Sequence, residues 1–201
     1  MRYGCFALFL TEGEKLMALN KYAKDYRLEN QVNKKGKTVT KAVYVGDHFK
    51  FERSEAEVKK ATRIITVCAV VCLFSLILGI AFYRNIGFSS QYYTLIPFAC
   101  CFLPILYLNL AAYNLLTAKE KVKRETKDAM HDRVAKCGMG IMVLDGWNLT
   151  GIVLAFILKL VGTVQKPFVF NDVVFIVASV MMMAGALIAF LQRKSIKMVQ
   201  I

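Results

Sequence analysis

Proline and glycine are scarce. The chain of 201 residues has 3 of the first and 12 of the second, which leaves little room for disordered linkers. No phosphate-binding loop, nucleophile elbow or HExxH motif occurs. His48, His131 and Cys137 lack metal-ligand spacing. The six cysteines are Cys5, Cys68, Cys72, Cys100, Cys101 and Cys137. Most fall in apolar runs or beside basic residues, so they read as small buried hydrophobes and not as a disulfide framework. These absences argue against an enzyme, a bound metal or cofactor, and a disulfide-stapled scaffold. Acidic residues are also few: 14 Asp and Glu face 27 Lys and Arg, a net charge of +13. In a soluble chain that excess would point to nucleic acid. Here the cations cluster beside apolar stretches, so the positive-inside bias of membrane proteins accounts for most of them and no nucleic-acid partner is expected.

What is abundant is apolar sequence. The composition is 57% hydrophobic with a mean hydropathy of +0.45. Four runs, 64–83, 93–116, 138–162 and 173–191, each match the roughly 20 residues needed to cross about 30 Å of hydrocarbon as a helix. The fold class expected is therefore an all-α membrane protein, a four-helix transmembrane bundle preceded by a small cytoplasmic β-meander. The segments before 64, at 118–136 and after 191 are rich in Lys and Arg. The connection at 84–91 has only Arg84, and that at 162–172 only Lys166, with Lys159 snorkelling towards it. An even number of spans puts the basic segments on one side, so both termini are expected in the cytoplasm of a bacterial cell with the protein in its plasma membrane.

Residues 1–16 differ from the rest. The run Cys5–Leu10 is too short for a signal-peptide core, and Glu12-Gly13-Glu14-Lys15 can be encoded by a stretch containing a bacterial ribosome-binding sequence. Translation is expected to start at Met17. Residues 17–53 read as a basic meander with strands at Tyr26–Val32, Thr38–Val45 and His48–Glu52. Their turns fall at Asn33–Gly36 and Gly46-Asp47, so that Tyr44 would face Phe49 and Ala42 would face Phe51. So small a sheet needs support from the membrane surface, the other cytoplasmic segment or a protein partner. Ser54-Glu55-Ala56-Glu57 is a capping box, opening a stalk helix at 54–63 continuous with the first span. Pro104 should kink the second span. Asn171 or Asp172 can cap the fourth.

The basic residues of 118–136 are Lys119, Lys121, Lys123, Arg124, Lys127, Arg133 and Lys136. Glu120 with Arg124, and Lys123 with Lys127, stand at helical spacing, so the segment is expected to extend spans two and three around a turn. Its cations fix topology and are candidate contacts for anionic lipid or a partner.

One constellation lies inside the apolar spans. Asp145 is nine residues past Lys136, about 13 Å deep at 1.5 Å per residue, and Asn109 is ten before Lys119, about 15 Å deep. Asn148 shares a face with Asp145. Ser75 reaches the level of Asn148 when counted from Arg63, and Ala184 and Gly185 are the fourth-span residues at the level of Asp145. Tyr107 and Tyr113 should lie above and below this layer. A neutral Asp145 could donate a hydrogen bond to the Asn109 carbonyl. The layer then acts as polar glue fixing helix register, the favoured reading. The alternative is a proton or cation site in a small oligomeric channel or transporter. Met181-Met182-Met183 points three ways around a helix and reads as core filling. Gly185 and Ala189 form a small-xxx-small pair suited to close helix contact, and a homo-oligomer is a candidate assembly.

Overall fold

The computed structural model describes residues 22–32, 38–82, 86–87, 89–118, 122–163 and 166–201. The expectations for residues 1–16, for a start at Met17 and for the turn at 33–36 lie outside them, as do Lys119, Glu120 and Lys121.

Helix α1 (Glu55–Phe82) opens at Ser54, whose Oγ accepts the Glu57 N–H at 3.4 Å and whose carbonyl accepts the Val58 N–H at 3.0 Å. With no proline in its path it runs unbroken from stalk to span, 28 residues or roughly 42 Å. The second long segment is two helices, α2 (Tyr92–Cys100) and α3 (Phe102–Leu116), which meet at Cys101. Pro104 has no N–H for the Cys100 carbonyl, so the break falls one turn before the proline. There the Cys101 N–H turns to the Phe98 carbonyl at 3.2 Å, and the Cys101 thiol donates to the Pro97 carbonyl at 3.4 Å. The third segment starts as the short α4 (Arg124–Lys127), passes through a π turn at Asp128–Asp132 and continues as α5 (Arg133–Leu160). It ends where Gly162, at φ +84°, lets Thr163 N–H reach the Leu158 carbonyl at 2.9 Å and its own N–H reach the Lys159 carbonyl at 3.0 Å. Helix α6 (Phe170–Gln192) and a 3-10 turn, Arg193–Ile196, complete the set.

These four segments are long and apolar enough to cross a membrane. They close a ring: α1 packs on α6 and α3, and α5 packs on α6, α2 and α3. The tightest line is α1 on α6. A Cβ built on Gly185 would stand 2.9 Å from Cys72 Sγ and 3.3 Å from the Cys68 carbonyl oxygen, so only glycine allows this approach. Ile65, Ala69, Leu76, Ile105, Leu108, Ile141, Phe175 and Met182 fill the interior. Large apolar side chains also cover the outside, among them Phe74, Ile77, Leu103, Val153 and Leu187, a distribution that suits helices in hydrocarbon.

The strands correct the expected meander. β1 (Tyr26–Val32) and β2 (Thr38–Tyr44) form an antiparallel hairpin. β3 (His48–Phe51) does not pair back onto β2, so neither the Tyr44–Phe49 nor the Ala42–Phe51 pair forms. It is the centre of a second sheet, flanked by β4 (Val122–Lys123) and β5 (Met198–Gln200). Phe49 stands opposite Val122 on one side and Gln200 on the other. The reason lies at the corner. The Asp25 carbonyl takes the N–H groups of Val45, at 2.8 Å, and Gly46, at 3.2 Å, while Tyr44 Oη donates to the Asp47 carbonyl at 2.7 Å. Gly46-Asp47 is thus pinned to the chain before β1 and cannot make a hairpin turn. A second correction follows. Lys123 belongs to a strand, so it and Lys127 do not share a helix, and span two stops at Leu116 without a helical extension. The β4–β3–β5 sheet gathers the N-terminal region, the connection between spans two and three, and the C-terminal tail at one end of the bundle.

Candidate functional site

Asp145, Asn148 and Ser75 are fully buried, and Asn109 is half-buried. Helical spacing puts Asp145 and Asn148 on the inner face of α5, against α6. Asn148 Nδ2 donates to Asp145 Oδ1 at 3.0 Å and to Ser179 Oγ at 2.8 Å. Ser179 Oγ in turn donates to the Phe175 carbonyl at 3.1 Å. The expected bond between Asp145 and Asn109 is not made. Asn109 Nδ2 donates instead to the Ala69 carbonyl of α1, at 3.2 Å, and to the Ile105 carbonyl of its own helix, at 2.9 Å. The single expected layer is therefore two clasps, α5 to α6 through Asn148 and α3 to α1 through Asn109. Tyr107 and Tyr113 are exposed on the outer surface of α3.

Ser179 completes the α5–α6 clasp and was not anticipated. Its signal was present: it is the only polar side chain of α6 between Asp172 and Gln192. Depth counted to the level of Asp145 falls on Ala184 and Gly185 of α6. Levelled on Asn148, about 18 Å past Lys136, it would have reached Ser179, about 21 Å before Arg193. The clasp leaves two buried oxygens without a hydrogen bond, Asp145 Oδ2 and Asn148 Oδ1, and Ser75 Oγ on α1 is a third buried oxygen without one. Unpaired buried polar atoms are rare in folded proteins and mark a place where stability has been given up. Among the described residues no three His, Cys, Asp or Glu side chains are placed to hold a metal ion.

At the bundle end away from the sheet, Asp172 is fully buried. Its Oδ2 accepts the Val169 N–H at 2.9 Å, closing the α6 cap. Its Oδ1 accepts the N–H groups of Gly87, at 3.1 Å, and Ser89, at 3.2 Å, and the Ser89 hydroxyl. One carboxylate thus ties two connections that are far apart in sequence. The Cβ missing from Gly87 would lie 2.1 Å from the Pro167 carbonyl oxygen, so that approach requires glycine.

At the sheet end, the basic residues hold the β1–β2 hairpin down. Lys123 Nζ lies 5.5 Å from the Tyr26 ring centroid and 5.1 Å from that of Tyr44, and Lys127 Nζ is 4.1 Å from that of Phe49. Tyr22 Oη donates to Asp128 at 2.8 Å, Tyr26 Oη to Glu125 at 3.3 Å, and the Arg124 N–H to Tyr44 Oη at 3.1 Å. Lys197 pairs with Glu52 at 3.2 Å. The hairpin therefore rests on the 122–132 segment, one of the three supports anticipated for it. Arg124 and Lys136 are exposed and Arg133 is half-buried. No known protein family, curated protein or solved structure matches the chain.

Proposed function

We propose that the chain is a multi-pass protein of the bacterial plasma membrane with both termini in the cytoplasm. In this reading it is a non-enzymatic accessory, scaffold or regulatory component. Its basic end meets a cytoplasmic protein through residues 17–53, or the anionic surface of the lipid bilayer. The observation that supports it is the asymmetry of the two ends. Three separate basic segments are sewn into one platform by β3, β4 and β5, whereas Lys159 and Lys166 are the only described cations near the other end. The positive-inside rule places such a platform in the cytoplasm. The Asn148–Ser179 and Asn109–Ala69 clasps fix helix register beneath it.

Two measurements on the full chain test this. A reporter fused after Ile201 should be active only inside the cell, and one placed in the 162–172 connection only outside. Pull-down with and without residues 17–53 should shorten the list of captured proteins. An unchanged list, with lipid binding also unchanged, refutes the docking role.

A second reading, a small oligomeric channel or a proton- or cation-linked transporter, is favoured by the unpaired buried oxygens of Asp145 and its neighbour Asn148. Proteoliposomes under a pH gradient test it: flux that Asp145→Asn abolishes supports transport, and no flux in the wild type refutes it.

A further inference from the structure

Where β3 passes into α1, a cleft of about 540 Å³ opens between residues 50–54, the first turns of α1 and the end of α3. That volume is within the roughly 300–1,000 Å³ typical of small-molecule sites. Its rim carries Lys50, Arg53, Lys59 and Arg63 against a single carboxylate, Glu55. The carboxylate is already engaged, by Lys59 at 2.5 Å, and Arg53 faces Glu57 at 3.7 Å. Lys50 and Arg63 are exposed and have no ion pair among the described residues. The floor is of another character: Phe51, Val58 and Leu115 are apolar.

The cleft also sits at a particular level. Arg63 is the last charged residue of α1, and the nineteen residues from Ile64 to Phe82 carry no charge. Leu116, which also lines the cleft, ends α3. Cations thus stand at the rim where the apolar stretch of α1 begins, so a ligand that fits must be anionic at one end and apolar at the other. A soluble anion would leave the floor unused. A nucleic acid would have no place for its backbone beside hydrocarbon.

We propose that this cleft binds the phosphate headgroup of an anionic phospholipid, with Lys50 and Arg63 on the phosphate and the first carbons of the acyl chains against Phe51 and Leu115. The Arg63 guanidinium supplies a two-toothed fork for phosphate oxygens, and the Lys50 ammonium a point charge. The proposal rests on the membrane-crossing reading above and specifies a lipid for its basic end.

The test uses the full chain in nanodiscs of phosphatidylcholine with and without phosphatidylglycerol, with retained lipid read by native mass spectrometry. Phosphatidylglycerol should be retained in preference to phosphatidylcholine, one molecule per chain. Lys50→Gln with Arg63→Gln should weaken retention on the order of tenfold. Both side chains are exposed, so thermal unfolding should be unchanged. Lys24→Gln with Lys194→Gln removes the same charge outside the cleft and should leave retention as it was. Equal loss in both pairs overturns the proposal, because the attraction is then diffuse. Displacement by soluble glycerol phosphate at the concentration of the lipid overturns it in favour of a free phosphate ligand. Absence of retained lipid, with the protein resisting alkaline extraction from membranes, overturns the cleft alone. Extraction by alkali overturns the membrane reading as well.

Discussion

Asn148 and Asp145 are neighbours on one helix face, yet the geometry predicts opposite responses to removing them. Asn148→Leu deletes two donated bonds, to Asp145 Oδ1 at 3.0 Å and Ser179 Oγ at 2.8 Å. It leaves both oxygens of Asp145 unpaired, since Oδ2 already lacks a partner. Hydrogen bonds inside a bilayer average about 0.6 kcal/mol each, and stranding a buried polar group costs about 1–3 kcal/mol, so the expected loss is about 2–4 kcal/mol. Asp145→Leu removes the half-paired carboxyl itself, and Asn148 Nδ2 keeps Ser179. That variant should lie within about 1 kcal/mol of the wild type, or above it. The double Leu variant strands nothing and should recover about 1–2 kcal/mol relative to Asn148→Leu. Thermal unfolding in detergent with a thiol-reactive dye reads these differences, because Cys68, Cys72 and Cys101 are buried and become reactive only on unfolding, while exposed Cys100 sets the baseline. For a chain of this length about 2–4 °C accompanies each kcal/mol, so Asn148→Leu should fall by roughly 4–16 °C. If Asp145→Leu falls as far as Asn148→Leu, the carboxyl itself carries the clasp and the reasoning is wrong.

Three other changes test the frame around the site. Gly185→Val puts a branched side chain where a lone Cβ is already 2.9 Å from Cys72 Sγ, and should cost about 1–3 kcal/mol in the same unfolding assay; no shift would mean that α1 and α6 separate freely. Asp172→Ala removes the acceptor of three backbone N–H groups and should lower stability by about 2–4 kcal/mol, with new protease cleavage near residue 87 or 167; an intact cleavage pattern would show that the connections do not depend on it. The Lys59 ammonium, which hydrogen-bonds Glu55, holds that carboxyl below its ordinary value of 4.5. The pair's contribution is therefore present above that value and is lost as pH falls through the lower one, and a Glu55 side-chain NMR titration with its midpoint at or above 4.5 would contradict the ion pair.

The long helices were legible because each is written in contiguous residues: an uninterrupted apolar run, a Ser54 cap, a proline at 104, a glycine at 162. The Asp145–Asn148 pair was legible for the same reason, being three apart on one helix. What sequence reasoning missed were the specific residue pairings across large sequence separation. The Gly46-Asp47 turn suggests that β3 folds back on β2, but the Asp25 carbonyl, some twenty residues earlier, and the Tyr44 hydroxyl pin that corner in another shape. Its true partners lie near residues 122 and 200, and two- and three-residue strands carry no periodic signal of their own. Asn109 and Asp145 were matched by depth alone. Depth says nothing of azimuth, and Asn109 points at α1.

The small sheet is best understood as a product of the bundle. A strand of two residues and one of three cannot hold together in water, because so few hydrogen bonds do not offset the ordering of the chain. They pair here because helices α1, α5 and α6 already bring their flanking residues together. The approach of α1 to α6 at Gly185 is one such constraint on the spacing of β3 and β5, together with the packing of the Arg193–Ile196 turn on α1. The sheet should then be the first element to open and the most sensitive to changes in helix spacing. In hydrogen exchange, the Glu52 N–H bonded to the Lys197 carbonyl and the Ile201 N–H bonded to the His48 carbonyl should exchange well before the amides of α1. Gly185→Val should accelerate them while leaving the Asp172 node at the far end unchanged. If both ends loosen equally, the bundle opens as one unit and the sheet does not depend on local helix spacing.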